Sequence, residues 1–364
     1  MNTNFSLKNT TLMEWVFFLS IFLLLVFGLL VFYSLSVSES GIGGLWKQII
    51  LVLLSIGVFW WVMRIDYRVY RNIGWWLYAL ILLLLILVFF FGRTEFGAQR
   101  WIDLVIFRFQ PVEVVKVLYL MFMADFMSKR GDTVVWRDVI VSFLLTSLPV
   151  VLIMLQPDLG SSLVLLVIWG LMVFLSPFLR IYFWSIVAVV LLALPFSWFL
   201  LQDYQQNRIL TFIDPTRDPY GMGYNVLQSQ IAIGSGSWYG LGLGKGWQSQ
   251  LQFLPVAYSD FAFAVLGEEF GFMGAIVVLL CYSYLVWYIW KLAFMTIDQF
   301  GYYLAGGIGA MIVFQVFVNI GMNIGVMPVT GIPLPLISSG GTSMITIMMV
   351  LAIVLSIKYR GVKI

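Results

Sequence analysis

Long apolar runs alternate with short polar segments along almost the whole chain of 364 residues. Ten of these runs have the length that a helix needs to cross a bilayer, about 20 residues. The pattern therefore predicts an all-α polytopic membrane protein with a single integral membrane domain over residues 1–364. The ten predicted spans are 15–35, 45–63, 73–92, 111–127, 139–155, 160–176, 181–201, 261–290, 301–324 and 337–357.

The composition agrees with lipid as the main solvent of the chain. Hydrophobic residues make up 62% and charged residues only 10%, against roughly 25% charged in soluble domains. The net charge of +3 comes with no basic run, so nucleic acid is not expected as a partner. A single cysteine, Cys281, excludes an intrachain disulfide, and the lack of histidine excludes His-based triads and metal sites. Any metal would need oxygen ligands, as a hard ion such as Mg²⁺ or Ca²⁺ does.

Basic residues in short loops predict the orientation of the spans, because Lys and Arg accumulate on the cytoplasmic side. With both termini in the cytoplasm, they fall on one side of the membrane. The longest segment outside is then 202–260, between spans seven and eight. It contains Trp238 and Tyr239, so we expect short helices at the membrane surface rather than disorder. The basic residues are Lys8, Arg64, Arg68, Arg71, Lys129, Arg130, Arg137, Arg180, Lys291, Lys358, Arg360 and Lys363.

Two aspartates stand where a span meets the outer surface. Asp260 lies in SDFAF, just before span eight, and it or Ser259 could be the N-cap of that helix. The other reading is a half-desolvated carboxylate that serves as a general base. Asp158 in QPDLGSS could cap span six, or it could lie on the outer rim beside Asp260.

Two adjacent acids, Glu268 and Glu269, lie inside predicted span eight. A charge in the bilayer core costs about 2.5 kcal/mol or more, so such residues face a cavity or a charged partner. A structural ion pair with a basic residue of another helix is one reading, and a polar cavity is the other. Neighbouring positions on a helix point in different directions, so we expect only one of them to face the interior.

Basic residues near the outer ends of two spans could meet an anionic lipid headgroup. Glu113 and Lys116 are three residues apart and share a helix face. They could form a structural pair, or Glu113 could orient Lys116 toward the headgroup. Lys47, near the outer end of span two, could act likewise or extend its amine to the interface.

Two glycine-rich or proline-rich stretches interrupt the regular pattern. GLGLGKG, 240–246, is not a phosphate loop, because Tyr239 stands where that motif needs its first glycine. Three prolines and several glycines break the apolar stretch 318–343. Irregular backbone at membrane depth is buried or lines a cavity, and such breaks mark binding sites in transporters. Asn319 and Ser338 are the polar residues that we expect in this cavity.

Four long stretches, in the same order, resemble motifs of the SEDS proteins, the shape, elongation, division and sporulation membrane proteins of bacteria. The match runs from Lys47 to the end of the chain, and QSQLQFLP (248–255) is more similar to the elongation member than to the division member. The stretches are QPDLGSS (156–162), NRILTFIDP with DPYGMGYNVLQSQIAIGSG (207–236), LPVAYSDFAFAVLGEEFGFMG (254–274) and NIGVMPVTGIPLPLISSGGTS (323–343).

The resemblance implies a ten-span peptidoglycan glycosyltransferase in the bacterial cytoplasmic membrane. It would polymerise lipid II, the undecaprenyl-pyrophosphate-linked disaccharide-pentapeptide, at the outer face, with a class B penicillin-binding transpeptidase as partner. Asp260 matches the proposed catalytic aspartate of the family. The other functional polar positions of the family match Glu113, Lys116 and Asp158, and its GEE motif matches Glu268 and Glu269.

The chain departs from the usual family pattern around the aspartate. The family usually reads L-P-E-x-H-T-D-F, whereas Val256, Tyr258 and Ser259 stand at three of these positions here. SSGG replaces the more usual SYGG at 338–341, and Gln230 stands where elongation members often carry lysine.

The implied reaction inverts the sugar C1, so it needs a base and positive charge but no covalent nucleophile. We expect Asp260 to be the base, and Lys116 to hold the pyrophosphate, with Lys47, Arg208 or Lys245 as further candidates. A divalent cation, Mg²⁺ or Mn²⁺, could bridge an acid and the diphosphate. Two other functions fit the same spans and polar residues: a flippase or other transporter of a lipid-linked precursor, and a non-catalytic scaffold for the transpeptidase.

Overall fold

The structure, a computed structural model, is mainly helical and describes residues 11–38, 43–95, 98–103, 108–130, 135–176, 188, 192, 199 and 203–362. Its helices are α1 (Leu12–Ser38), α2 (Gly43–Arg64), α3 (Gly74–Phe91), α4 (Pro111–Ser128), α5 (Trp136–Leu155), α6 (Leu159–Leu175), α7 (Asp203–Ile213), α8 (Met222–Ser235), α9 (Trp247–Gln250), α10 (Ala262–Met295), α11 (Gln299–Asn323) and α12 (Gly341–Gly361), with 3₁₀ turns at Tyr67–Asn72 and Pro215–Arg217.

Seven helices of the described residues are long and apolar enough to span a membrane: α1, α2, α3, α5, α10, α11 and α12. Helices α4 and α6 also coincide with predicted spans, but α4 carries three charged residues and α6 has 17 residues. The seventh predicted span, 181–201, falls in a stretch of which only residues 188, 192 and 199 are described. The polytopic helical fold is confirmed.

A small antiparallel sheet, which the hydropathy pattern did not predict, connects α3 to α4. Its strands are β1 (Arg93–Glu95), β2 (Ala98–Asp103) and β3 (Arg108–Phe109), in the order β1-β2-β3. The register of the first pair shifts between Arg93 and Thr94. The sheet places β2 beside the turn that joins α5 to α6, because Arg100 Nε donates to the Gln156 carbonyl at 3.0 Å.

Several helix ends meet at the end of the bundle that the basic residues assign to the cytoplasm. The Arg360 guanidinium of α12 donates to the carbonyls of Met63, Arg64 and Ile65 at 2.7–3.2 Å. These carbonyls lie at the C-terminus of α2, where no intrahelical donor remains. The Tyr302 hydroxyl of α11 donates to the Leu175 carbonyl at 3.2 Å, so α6 ends here as well.

Helix α10 is broken at Gly271, which has a φ of 64° and a ψ of −161°. The predicted span 261–290 therefore differs from the observed element, which runs from residue 262 to 295 and changes direction inside. A straight helix of 34 residues would measure about 51 Å, far more than the ~30 Å hydrocarbon core. The part after the break, 272–295, is by itself long enough to cross the membrane.

A segment from before α9 supplies the hydrogen bonds that the break removes. The carbonyls of Glu268 and Glu269 accept from the N–H groups of residues 241 and 242 at 3.0 and 3.1 Å. The N–H groups of residues 272 and 273 donate to the carbonyls of residues 237 and 238 at 2.9 and 3.1 Å. These four backbone groups of α10 thus find partners beside the break, as buried backbone groups require.

Candidate active site

The backbone of Asp260 is fixed by two asparagines near the outer end of α11. The Nδ2 groups of Asn319 and Asn323 each donate to the Asp260 carbonyl at 3.1 Å. Asn323 also accepts from the Ala264 N–H at 3.2 Å, and both asparagines are fully buried. Asn319, predicted as a cavity residue, is therefore a support for the turn that carries Asp260.

The irregular segment between α11 and α12 supports the same turn from another side. The Ser338 hydroxyl donates to the Ser259 carbonyl, and the Ser339 N–H donates to the Tyr258 carbonyl at 2.8 Å. Ser338 also accepts from the Leu334 N–H at 2.9 Å. Ser338 thus joins the segment to the turn, and the irregular backbone packs against residues 258–260.

The carboxylate of Asp260 does not cap α10, so the predicted N-cap role of Asp260 or Ser259 is wrong. The N-cap position is Phe261, and no side-chain cap bond is made there. The Oδ1 atom of Asp260 accepts from the Ser259 hydroxyl at 2.9 Å, and Asp260 is half-buried. A carboxylate that is not used by a helix terminus can receive a proton from another group.

Burial raises the pKa of Asp260 above its usual value, and nearby groups modify that shift. The Ser259 hydroxyl and the positive charges of Arg208 and Arg100 lower the pKa, whereas the negative charge of Asp158 raises it. The net shift is upward, because desolvation of the charged form is the largest cause. A carboxylate with a raised pKa is a stronger base at neutral pH.

Asp158 caps α6, as one of its two readings predicted, and the turn that carries it packs toward Asp260. Its Oδ1 accepts from the Ser161 N–H at 3.1 Å, and its Oδ2 accepts from the Ser161 hydroxyl at 2.9 Å. A Cβ at Gly160 would lie 2.7 Å from the Thr330 carbonyl oxygen, and one at Gly331 would lie 3.7 Å from Asp260 Oδ2. Residues 330–331 therefore lie between the start of α6 and Asp260, and they contact both.

Two arginines lie beside this group. Arg208 of α7 donates from a terminal nitrogen to the Val329 carbonyl at 3.2 Å, and it was predicted as a pyrophosphate ligand. Arg100 of β2, held at the Gln156 carbonyl, was missed. The hydropathy pattern gives no sign of the sheet that brings Arg100 there. The sequence offered one indication that Arg100 could be a site residue, namely its position next to Trp101 in a segment outside the membrane.

The pair of Glu113 and Lys116 is an intrahelical ion pair, as one of the two readings predicted. The Nζ and Oε1 atoms are 2.7 Å apart, and both side chains are 2% exposed. Within the described part of the chain, the second oxygen of Glu113 has no hydrogen-bond partner. The pair lies near the start of α4, next to α12, because the Gln110 N–H donates to the Thr342 hydroxyl at 3.1 Å.

Among the described residues no hydrogen bond or ion pair joins Lys47 or Lys245 to Asp260, so their part in binding the diphosphate stays a prediction. Lys47 is exposed near the start of α2, and Lys245 is exposed between α8 and α9. Lys245 belongs to the segment that bonds to residues 268–273, about two helical turns along α10 from Asp260.

The two glutamates of α10 bind backbone amides, so the predicted ion pair with a basic residue is wrong for the described residues. Glu268 accepts from the N–H groups of Gln248 and Ser249 at 2.8 and 3.1 Å, at the start of α9. Glu269 accepts from the Gly244 N–H at 3.1 Å and from the Ser34 hydroxyl of α1. Both reach the same segment, contrary to the expectation that one would point elsewhere.

Comparison with known proteins gives consistent similarities over nearly the whole chain. The FtsW/RodA/SpoVE family, described as cell cycle protein, matches residues 14–362. The peptidoglycan glycosyltransferase MrdB of Escherichia coli K12 is 40% identical over 343 residues, 92% of each chain. The probable peptidoglycan glycosyltransferase FtsW of Neisseria gonorrhoeae is 35% identical over 387 residues, 93% of this chain and 83% of that protein.

Two solved structures resemble the fold. One is a chain from a study of how a peptidoglycan synthase complex coordinates polymerization and crosslinking, with a TM-score of 0.78 and 32% identity, covering 93% of this chain and 96% of that chain. The other is the rod shape determining protein RodA of Thermus thermophilus, with a TM-score of 0.68 and 30% identity, covering 93% of this chain and 95% of that chain.

Proposed function

This chain belongs to the FtsW/RodA/SpoVE family of cell cycle proteins, the SEDS family, and on that premise we propose the chemistry of its outer polar site. The protein is a peptidoglycan glycosyltransferase of the elongation type and a multi-pass protein of the bacterial cytoplasmic membrane. Its relatives are named as glycosyltransferases, which favours polymerisation over the transporter and scaffold functions.

We propose lipid II as both donor and acceptor. The C4 hydroxyl oxygen of the acceptor bonds to C1 of the donor sugar, and the bond from C1 to the diphosphate breaks. The hydroxyl proton passes to Asp260, and the undecaprenyl diphosphate leaves with the bonding electrons. One displacement inverts C1 and needs no covalent intermediate, as in inverting glycosidases.

The observation that carries this proposal is the Asp260 carboxylate, which is half-buried, held by a rigid backbone and not used as a helix cap. Burial raises its pKa, so it is a better proton acceptor than an exposed aspartate. Arg208 and Arg100 lower this pKa in part, which favours the ionised carboxylate that accepts the proton. We assign the binding of the diphosphate first to Arg208, because guanidinium groups bind phosphate in a fixed geometry.

Lys116 remains a proposed second ligand of the diphosphate. Glu113 balances its charge at 2.7 Å in a buried pair, so the pair as a whole attracts an anion less than Arg208 does. The second oxygen of Glu113, which has no partner among the described residues, could accept a hydrogen bond from a hydroxyl or amide of the substrate. We propose that the pair orients substrate rather than carrying the main positive charge.

A divalent cation has few protein ligands to use at this site. No group of three acidic or cysteine side chains is arranged to hold a metal ion in the described part of the chain. Both oxygens of Asp158 already accept hydrogen bonds from Ser161. Mg²⁺ or Mn²⁺ would therefore depend on Asp260 and the diphosphate of the substrate, and no step of the proposal is routed through it.

We propose a class B penicillin-binding transpeptidase as the partner. The structural neighbour with a TM-score of 0.78 comes from a peptidoglycan synthase complex in which polymerization and crosslinking are coordinated. A transpeptidase that binds this chain would receive each new glycan strand as it leaves the outer face.

Polymerisation of fluorescent lipid II by the purified full chain, with its transpeptidase present, tests the role of Asp260. We expect Asp260→Asn to lower the rate by about 10²-fold or more, in the range of general-base catalysis. Asp214→Asn is the matched control, since Asp214 is a loop aspartate that pairs with Arg217 at 3.4 Å. Equal rates for Asp260→Asn and wild type would remove Asp260 from the mechanism, and loss in both variants would point to a folding defect.

A further inference from the structure

The outer segment between the turn at 214–218 and Asp260 has little charge for a loop that faces water. From Pro219 to Ser259 the only charged residue is Lys245, whereas soluble proteins carry roughly one charge in four residues. Large apolar side chains of this segment are nevertheless exposed in the isolated chain. They are Tyr220, Ile231, Trp238, Tyr239, Leu243, Trp247, Leu251, Phe253 and Val256.

Contacts with three helices, α1, α10 and α11, show how far this segment lies from the cytoplasmic end of the bundle. Ser34 of α1 donates to Glu269 and accepts from Gln250, and residues 272–273 of α10 bond to residues 237–238. Helix α11 reaches the same level at Asn323, which bonds to Ser229 at 2.8 Å. Measured along each helix from its cytoplasmic end, these positions lie about 33–36 Å away.

That distance places the segment just beyond the ~30 Å hydrocarbon core, at the level of the outer headgroups. Tryptophan and tyrosine collect at this level, because their rings are partly apolar and their N–H or O–H groups remain hydrated. A lysine there can direct its amine to lipid phosphates.

We propose that Trp238, Tyr239, Leu243, Trp247 and Leu251, with Lys245 among them, form a lipid-binding face that lies in the outer headgroup layer. We call this set the aromatic loop face. Its aromatic and aliphatic side chains contact the upper acyl chains, and Lys245 binds the phosphate of an anionic phospholipid.

A membrane surface fits this face better than a protein partner does. Tyr239 is 82% exposed and Trp247 is 70% exposed, and they lie at the depth that three helices fix. The segment has one charge over its whole length, whereas the rim of a transient protein interface is polar. Docking of the transpeptidase is therefore an outcome that the test must separate from lipid contact.

The lipid face also acts on the active site through the backbone. The segment that carries Trp238 and Tyr239 supplies the hydrogen bonds across the break at Gly271. The helical piece 262–270 leads from that break directly to Asp260. Anchoring of the aromatic loop face therefore holds the level of Asp260 relative to the lipid-linked substrate.

Site-directed spin labelling of the full chain tests this proposal. Cys281→Ser removes the native thiol, and single cysteines replace Tyr239 or Trp247 in vesicles of phosphatidylethanolamine and phosphatidylglycerol. Thr216→Cys is the control, because Thr216 is exposed in a turn that contains the Asp214–Arg217 pair. We expect labels at 239 and 247 to collide more with oxygen than with a water-soluble nickel chelate, and the label at 216 to show the reverse.

Labels at 239 and 247 that are as accessible to nickel as the label at 216 would overturn the proposal. Labels that become protected only when the transpeptidase is added would also overturn it, in favour of a protein interface. For Lys245, we expect phosphatidylglycerol to move the label at 247 deeper in wild type but not in Lys245→Gln. An equal response in both would remove the lysine from the lipid site.

Should a labelled variant fail to fold, quenching of tryptophan fluorescence by brominated phospholipids provides a second measurement. The double variant Trp238→Phe, Trp247→Phe keeps aromatic side chains at both positions. We expect it to lose a shallow, lipid-quenched component of the wild-type emission. Unchanged quenching in the double variant would contradict contact between these two residues and lipid.

Discussion

The basicity of Asp260 depends on opposing neighbours, and each can be removed separately. Burial raises the pKa, Arg208 lowers it and Asp158 raises it. The base acts when deprotonated, so the rate falls as the pH drops through this pKa. We expect Arg208→Gln to move the acid limb of the pH–rate profile to higher pH, and Asp158→Asn to move it to lower pH.

The measurement is kcat/KM for lipid II polymerisation as a function of pH, which reports on groups of the free enzyme. Asparagine at 158 can still cap α6, so a folding defect is not expected to mimic the shift. Arg217→Gln, which alters an exposed pair with Asp214, should leave the limb in place, because Arg217 is not among the charges that shift the pKa of Asp260. Shifts of the same sign for Arg208→Gln and Asp158→Asn would contradict the assignment of Asp260 as the base.

At the level of single residues, the sequence predicts contacts that lie close along the chain. The Glu113–Lys116 pair and the cap at Asp158 both join residues three apart, so helix geometry is enough to foresee them. Asn323 and Arg100 were missed because they reach the site only through tertiary packing. The partners of Glu268 and Glu269 were missed for the same reason, since they come from a segment about twenty residues earlier.

Helix α4 carries a buried ion pair whose structural and functional roles can be separated. Lys116→Met leaves the Glu113 charge buried without its partner, which costs about 3–5 kcal/mol. The double variant Glu113→Gln, Lys116→Met removes both charges, so we expect it to recover most of the lost stability in a denaturation experiment. If Lys116 binds the diphosphate, the double variant stays impaired in polymerisation.

Recovery of both stability and polymerisation in the double variant would show that the pair is structural only. No recovery of stability would instead mean that the polar groups have further partners in the folded enzyme. The two readouts therefore distinguish the two readings that the spacing of Glu113 and Lys116 leaves open.

The segment before α9 packs against the broken helix α10, and this contact tolerates a side chain at Gly244 better than at Gly240. Gly240 and Gly244 both have a positive φ, 81° and 71°. A Cβ at Gly240 would collide with the Glu269 carbonyl, whereas one at Gly244 meets no described atom within 4 Å. We expect Gly244→Ala to cost about 1–2 kcal/mol for the left-handed backbone, and Gly240→Ala to cost clearly more.

Thermal unfolding of the two purified variants measures this difference, with Gly244→Ala as the matched control. Equal melting temperatures would mean that the segment can move away from α10 without a penalty. The sequence alone did not predict this element, because a glycine within an apolar run is also common in unbroken membrane helices. The break becomes visible only when the distant segment that completes its hydrogen bonds is in place.

For the molecule as a whole, the described helices have a definite orientation across the membrane. Leu175 lies with the start of α11 at the end assigned to the cytoplasm, and Arg208 lies at the opposite end, beside Val329. We expect a fluorescent reporter that matures only in the cytoplasm to be bright at either terminus and dark when inserted at Thr216. A bright insertion at 216, or a dark terminus, would contradict the predicted topology.

Apolar run lengths and the distribution of Lys and Arg predict the helical membrane architecture well, because a bilayer constrains both. The same signals cannot predict the sheet at residues 93–109, whose strands have two to six residues. Strands that short show too little alternation to be recognised. The sheet nevertheless determines where Arg100 lies, so the part of the fold that was missed also hid part of the site.

The repair of the break at Gly271 has a consequence for biogenesis. Residues 237–242 leave the ribosome about thirty residues before residues 268–273, to which they bond, and at usual rates of synthesis this is a delay of about 2–6 seconds. During that interval the carbonyls of residues 237 and 238 and the N–H groups of residues 241 and 242 lack their partners on α10, and the helix that follows cannot close its own hydrogen bonds at the break. The outer half of this enzyme therefore becomes ordered only after both pieces have emerged and the second has inserted.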